Sequence, residues 1–287
     1  MDFLRETAFA KVNFGLRVLP VREDGFHNLE SIFQTVNLKD ELCVSADTAA
    51  GCTVICEDLQ LPAKNTITSA YSAFCQCTDC EVPGIKVILK KGIPSGGGLG
   101  GGSSDGAALV RALEKLCNIE LTFSQRNFIA SETGSDVFFF IHCGKTGTGC
   151  AKVSGRGEFV EKIKGRKLNL VMIFPSVSSS TKQAYCLVDK VISSENDRDY
   201  PDFDRIEEFY CKCVKEWGFK NTFTAPLCKE YPQIENALQA LRSVGADFAD
   251  MSGSGSTVFG VFESLEEAEK AYTKLSVNYK CELVQTV

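Results

Sequence analysis

The sequence predicts a folded protein of mixed α and β structure, and three observations carry that prediction. Segments with the two-residue alternation of strands stand beside segments with helical spacing. A run of glycines joins an apolar strand to an amphipathic helix, and two continuous apolar runs, 137–141 and 168–174, have the length of buried strands. Composition agrees. In 287 residues, 44% hydrophobic and 24% charged side chains, with a mean hydropathy of −0.04, are globular values that argue against disorder or a fibrous repeat. No stretch approaches the roughly 18 apolar residues of a membrane span. Thirty-one basic against 37 acidic side chains leave a net charge of −6, so no basic field draws the chain to nucleic acid. At roughly 150 residues per domain the length suits two domains.

Along the chain, residues 5–19 (RETAFAKVNFGLRVL) and 85–91 (IKVILKK) read as strands, the second stopping at Gly92 and Pro94. Then come six glycines in the seven residues from Gly96 to Gly102. Leu109, Leu113 and Leu116 follow at helical spacing, with Ser103 or Ser104 as the expected N-cap. Ser124–Glu132 reads as a helix ending near Gly134, and 137–141 (VFFFI) as a buried strand. The Gly- and Lys-rich stretch 144–167 marks a boundary near residue 155, giving domains 1–155 and 156–287. Beyond it we expect a strand at 168–174, a helix at 181–192, an acidic loop at 194–204, and SGSGS (252–256) leading into a strand at 257–262. Ser264 and Glu267 form a capping box for a helix ending near Leu275.

Fourteen cysteines in a long chain opening MDFLRETAFAK, which lacks the pattern of a signal peptide, read as reduced thiols of a cytoplasmic protein. Cys77 and Cys80 form a CxxC, but no second ligand pair at ribbon spacing completes a metal site.

The glycine run lets consecutive backbone N–H groups turn inward beside a helix N-terminus, which makes it an anion cradle, above all for phosphate. No Gly-Lys-Ser/Thr ends it, so it is not a Walker A loop. Gly96, Gly98 and Gly101 fit GxGxxG, a near-automatic match in so glycine-rich a window. In the first strand Lys11 and Asn13 share one face, a pairing that suits phosphoryl transfer or hydroxyl binding. Arg22–His27 is a turn around Gly25. Asp136, just before the apolar run, is placed either as a general base or as a turn aspartate.

Taken in order, AKVNFGL (10–16), PSGGGLGGGSSDGAA (94–108) and MSGSGSTVFG (251–260) resemble the GHMP kinase superfamily. REDGFH (22–27) and GSDV (134–137) resemble the branch that phosphorylates a methylerythritol linked to cytidine diphosphate. The resemblance implies two α+β domains, a ribosomal-protein-S5-like N-terminal domain and a ferredoxin-like C-terminal domain, with the active site in the cleft between them. It implies ATP as co-substrate with Mg2+, a cytidine-diphosphate-linked polyol as substrate, and a monomer or homodimer. Asp136 matches the catalytic base and Lys11 the lysine that steadies developing negative charge. Pro94, Ser95, Gly96, Gly97, Gly98, Leu99, Gly100, Gly101, Gly102, Ser103 and Ser104 match the phosphate loop, while Asn65 and Lys91 fall in the adenine pocket. Asn13, Phe26, His27, Thr181 and Tyr185 fall at the cytidine end, where His27 and Tyr185 can stack on the base. Phe26 stands where the family usually has tyrosine, Ser135 where it has alanine and Phe138 where it has proline. The other readings are a mevalonate- or homoserine-type kinase of the same superfamily, or a non-catalytic nucleotide-binding regulatory protein of the same fold.

Overall fold

The computed structural model describes residues 3–57, 59–177, 179–191 and 200–287. Its chain opens with two long strands, β1 (Leu4–Val21) and β2 (His27–Asp47), which pair with each other. They are followed by β3 (Cys52–Cys56), α1 (Thr66–Cys77), β4 (Gly84–Lys90), α2 (Gly101–Cys117), α3 (Phe123–Thr133) and α4 (Ser135–His142). Then come β5 (Cys150–Gly155), β6 (Phe159–Lys162), β7 (Asn169–Ile173), α5 (Thr181–Asp189), α6 (Ile206–Cys211), α7 (Thr224–Glu230) and α8 (Pro232–Ser243). The chain closes with β8 (Phe248–Met251), β9 (Val258–Phe262), α9 (Leu265–Leu275) and β10 (Cys281–Gln285).

Packing divides the chain into two compact units that interleave in sequence. The first comprises Met1–Ala10, Leu38–Ser95 and Gly100–Gly149; the second comprises Lys11–Asn37, Gly96–Leu99 and Cys150–Val287. The boundary expected near residue 155 falls at the end of β5, the strand that follows the Gly149/Cys150 break.

In the first unit β4 runs antiparallel to residues 41–47 of β2 and parallel to β3. Alternation decides which face is buried: Ile85, Val87 and Leu89 point inward, while Lys86, Ile88 and Lys90 point out. Helices α1 to α4 pack on one another. Small residues allow the close approach, since a Cβ on Gly106 of α2 would lie 3.2 Å from the Thr66 carbonyl oxygen of α1. Helix α2 is also tied to β1, with Glu6 taking Arg111 at 3.1 Å and Lys115 on its other oxygen.

The second unit holds a four-stranded antiparallel sheet in the order β10-β7-β9-β8. Numbered by their own sequence, these strands run 4-1-3-2, with helices after the first and third, which is the ferredoxin-like arrangement the resemblance implies. Its core gathers Val171 and Ile173 of β7, Leu238 and Leu241 of α8, Val258 and Phe262 of β9, and Ala268 and Leu275 of α9. Residues 29–34 of β2 pair with β5, which pairs with β6.

Three expectations are corrected. Residues 137–141 are not a strand but most of α4, with Val137, Phe140 and Ile141 buried at helical spacing and Ser135 exposed. Five apolar residues fit either element, and Gly134, which ends α3 and precedes α4, starts a new helix instead. Helix α2 is capped by Gly100, not by Ser103 or Ser104, which lie within its first turn. The helix from Thr181 ends at Asp189, three residues early, and residues 194–199 of the acidic loop expected at 194–204 lie outside the described residues. Ser264 does cap α9, accepting from Glu267 N–H, while its hydroxyl donates to the Glu267 carboxylate.

Candidate active site

The glycine loop owes its shape to alternation. Gly96, Gly98 and Gly100 have φ of 71°, 77° and 70°, a left-handed conformation that side chains avoid and that turns successive N–H groups to one side. Gly100 then opens α2 with no side-chain cap, which leaves the amides at the start of α2 without the side-chain acceptor most helices supply. Gly102 is exposed and Ser103 half-buried, whereas Ser104 and Leu99 are buried.

In the second unit three separate sequence motifs meet. Lys11, 2% exposed, donates from Nζ to Asn13 Oδ1 at 2.8 Å and to the Gly98 carbonyl at 3.0 Å, and its backbone N–H donates to Leu99 O at 3.0 Å. Asn13 Oδ1 also accepts the Gly253 N–H at 2.8 Å, and its Nδ2 donates to Ser31 Oγ at 3.2 Å. The 252–256 loop closes on the glycine loop, as Ser252 Oγ donates to Gly98 O at 3.0 Å and Thr257 N–H to Gly97 O at 3.2 Å. There is no room for a side chain between them: a Cβ on Gly98 would lie 2.1 Å from Ser252 O. The ammonium of Lys11 is thereby fixed against the glycine-loop segment Gly96–Leu99.

The residues expected at the cytidine end belong to this unit too. His27 Nδ1 donates to Leu19 O at 2.7 Å, and Nε2 lies 3.1 Å from Asp189 Oδ1. Its ring stacks on Tyr185, with centroids 5.2 Å apart, and Tyr185 meets Phe223 edge-on. Thr181, first residue of α5, pairs its hydroxyl with Ser254 Oγ at 3.2 Å. Phe26 is 51% exposed, with the Arg156 guanidinium 4.2 Å over its ring. Asn13 differs from the rest. At 1% exposed, with its carbonyl oxygen taken twice, it holds Lys11 and the 252–256 loop.

In the first unit Asp136 occupies the first turn of α4, half-buried, and not the mouth of a strand. Asn65 caps α1, accepting from Ile67 N–H at 3.0 Å and Thr68 N–H at 3.1 Å and donating to Pro62 O at 3.0 Å. Lys91 is ion-paired to Asp40 at 2.5 Å and Asp105 at 2.9 Å. Burial alone would lower its pKa, but Asp105 and Asp40 outweigh that and raise it. Pro94 and Ser95 lead into the loop, Ser95 exposed. Among the described residues no group of three or more His, Cys, Asp or Glu side chains is placed to hold a metal ion, and no helix is long and apolar enough to cross a membrane.

Sequence reasoning did not single out Ser31, Asp40, Asp105 or Asn221. Asn221 buttresses the 252–256 loop, its Nδ2 donating to Met251 O and Gly253 O at 2.8 Å each. Only Asp105 left a local trace, as a carboxylate placed directly after the paired serines of the glycine loop.

Comparison with known proteins identifies the family. Residues 65–144 match the model of the GHMP kinases N terminal domain, and residues 215–281 that of GHMP kinases C terminal. The chain is 35% identical over 284 residues, 96% of each chain, to the 4-diphosphocytidyl-2-C-methyl-D-erythritol kinase of Treponema pallidum (strain Nichols). It is 36% identical over 278 residues to the protein of the same name from Caldanaerobacter subterraneus, covering 96% of this chain and 94% of that one. Among solved structures, one of a 4-(cytidine 5'-diphospho)-2C-methyl-D-erythritol kinase superposes with a TM-score of 0.76 at 27% identity over 99% of both chains. The mevalonate kinase of Methanococcus jannaschii, at 14% identity and a TM-score of 0.68 over 100% of this chain and 99% of that one, shares the fold.

Proposed function

The chain belongs to the GHMP kinases, and from that membership we propose that it transfers the γ-phosphoryl group of Mg·ATP to the C2 hydroxyl of 4-diphosphocytidyl-2-C-methyl-D-erythritol, in the non-mevalonate route to isoprenoid precursors. The observation that carries the substrate assignment is nearly full-length similarity, at 35–36% identity, to relatives of that one name. Local chemistry supports the reaction type. Phosphoryl transfer asks little covalent chemistry of a protein and much positioning and charge stabilisation.

The left-handed glycines and the uncapped start of α2 receive the triphosphate, and magnesium arrives on it as part of the substrate. Lys11, held by Asn13 and Gly98, stabilises negative charge that develops on the transferring group. Asp136 takes the proton of the C2 hydroxyl as its oxygen bonds to the γ-phosphorus and ADP leaves. The His27–Tyr185 stack offers the cytosine ring an outer aromatic face, and Phe26 with Arg156 a second one. Asn65, whose amide is committed to capping α1, fixes the start of that helix beside Gly102 and Gly106 of α2, with Thr66 Oγ1 3.3 Å from a Cβ on Gly102.

The test is ADP release with Mg·ATP and the cytidyl substrate, beside mevalonate and homoserine, with Asp136→Asn as control. We expect turnover on the cytidyl substrate alone and a loss of roughly 10²–10⁴-fold in the control, the usual worth of a general base. Turnover on mevalonate or homoserine instead would overturn the cytidine assignment and keep the base. ATP binding without turnover on any alcohol would establish the regulatory reading.

A further inference from the structure

Beneath the start of α2 lies a buried charge cluster that the reaction above does not use. Lys91, with 12% of its side chain exposed, bridges two carboxyl groups, Asp40 Oδ2 at 2.5 Å and Asp105 Oδ2 at 2.9 Å. Asp40 of β2 is fully buried, and its Oδ1 accepts the backbone N–H groups of Gly92 and Ile93 at 2.7 and 2.8 Å. Asp105 of α2 is 3% exposed, and its Oδ1 is buried with no hydrogen-bond partner. The two carboxyl groups thus meet at one ammonium, each through its Oδ2. The cluster underlies the first residue of α2 directly, since a Cβ on Gly101 would lie 3.5 Å from Asp40 Oδ2.

Two acids sharing one ammonium in a buried site would leave a net negative charge out of water, which is strongly unfavourable. A proton on one of the two carboxyls removes it, the usual resolution for close acid pairs. We propose that Asp105 is a positioning residue for the nucleotide: through Lys91, which it shares with Asp40, it holds the start of α2 in the geometry that receives the triphosphate. This rests on the kinase reading of the glycine loop. It also moves Lys91 from adenine contact to support of the loop, because its ammonium is spent on Asp40 and Asp105.

The charged groups acting on Asp105 are Asp40 of β2 and Lys91 after β4. Helix α1 turns the uncharged Thr66, and α3 the uncharged Thr133, toward Gly106 of α2. Helix α4 carries Asp136 and His142, the latter bound to Asn127 Oδ1 at 2.8 Å. Burial first, then Asp40, push Asp105 up to about 8 against the pull of Lys91. Above that pH an extra negative charge appears under the helix end that binds phosphate.

The experiment measures KM and kcat for Mg·ATP and the thermal unfolding midpoint from about pH 5 to about pH 9, for the full chain and for Asp105→Asn and Asp105→Leu. In the unmodified protein KM should rise severalfold with pH through about 8, with kcat changing less. Asp105→Asn keeps an oxygen for Lys91 and cannot ionise, so its KM should stay flat. Asp105→Leu should raise KM roughly tenfold at every pH, the loss of one charge-assisted hydrogen bond. The sign for stability is fixed by linkage. Asp105 is protonated when folded and ionised when unfolded across the window from its ordinary value to about 8, so folded stability falls as pH rises through that window. Asp105→Asn should therefore match the parent at the acid end and exceed it at the alkaline end. Identical pH profiles for parent and Asp105→Asn would overturn the proposal. Unfolding profiles that differ while KM profiles coincide would overturn the nucleotide role. If neither protein binds Mg·ATP, the kinase reading fails, and the unfolding profiles still decide whether Asp105 keeps its proton in the folded state.

Discussion

Asn13 illustrates how a neutral side chain can govern a charged one. Its carbonyl oxygen fixes Lys11 Nζ and the Gly253 N–H, and its amide holds Ser31, whose hydroxyl donates onward to Gly15 O at 2.5 Å. The sequence placed Lys11 and Asn13 on one strand face, and that much was legible from alternation. The job of Asn13 was not, because its partners lie 18 and 240 residues away. Asn13→Ala would leave the buried Gly253 N–H without that acceptor, at a cost of about 1–3 kcal/mol. For a chain of this size that lowers the unfolding midpoint by roughly 2–4 °C per kcal/mol. Turnover should fall roughly tenfold as Lys11 loses one of its anchors, and less than in Lys11→Met, which removes the charge itself. Calorimetry and steady-state kinetics on the two variants check this. An Asn13→Ala protein with parental stability and kcat would show that Lys11 is held without it.

At the level of elements, the glycine loop and the 252–256 loop are one device made from two distant segments. Composition points to the first as an anion cradle, because six glycines between a strand and a helix have few other uses. Nothing in the local sequence of the second says that its Ser252 carbonyl presses on Gly98. Local signals also failed at α4, where a five-residue apolar run carries no period, and at the start of α2, where serines that usually cap lie one turn inside and a glycine takes their place. The pressing contact makes a sharp prediction. Gly98→Ala adds a methyl 2.1 Å from Ser252 O at a φ of +77°, so both loops must shift, with a strain of about 1–2 kcal/mol from the backbone alone. Gly102→Ala, exposed and with a Cβ 3.3 Å from Thr66 Oγ1, asks only a small adjustment. Equilibrium binding of Mg·ATP should weaken at least tenfold in the first and much less in the second. Equal losses would mean that the loop is not set by its contact with residues 252–256.

Across the whole molecule, the mixture of strands and helices was legible, but its division was not. The units interleave because β1 and β2 are long enough to serve both, with residues 11–37 assigned to the unit that also holds Gly96–Leu99 and Cys150–Val287. A scan for linkers looks for one place where composition changes and has no means of seeing that. The cysteines are a second property of the chain as a whole. No disulfide joins any of the fourteen, so reductant should leave the unfolding midpoint unchanged, where even one native bridge would contribute about 2–4 kcal/mol. Their reactivity should follow exposure modified by local charge, because the thiolate is the nucleophile. Cys75, Cys186, Cys211 and Cys213 are exposed, and Cys150 and Cys281 are buried. Of the exposed four, Cys213 donates its thiol to Glu263 Oε1 at 2.9 Å, and that hydrogen bond raises its pKa. Burial raises Cys75 despite its exposed surface, only partly offset by Tyr71. A time course of alkylation at neutral pH, read by peptide mass spectrometry, should therefore label Cys186 and Cys211 first, Cys75 and Cys213 later, and Cys150 and Cys281 only on unfolding. Cys211 and Cys213 lie two residues apart and are both exposed, so their ratio isolates the effect of Glu263. Labelling of both at one rate would show that the Glu263 hydrogen bond does not hold the Cys213 proton in solution, and Glu263→Gln should close whatever gap is found.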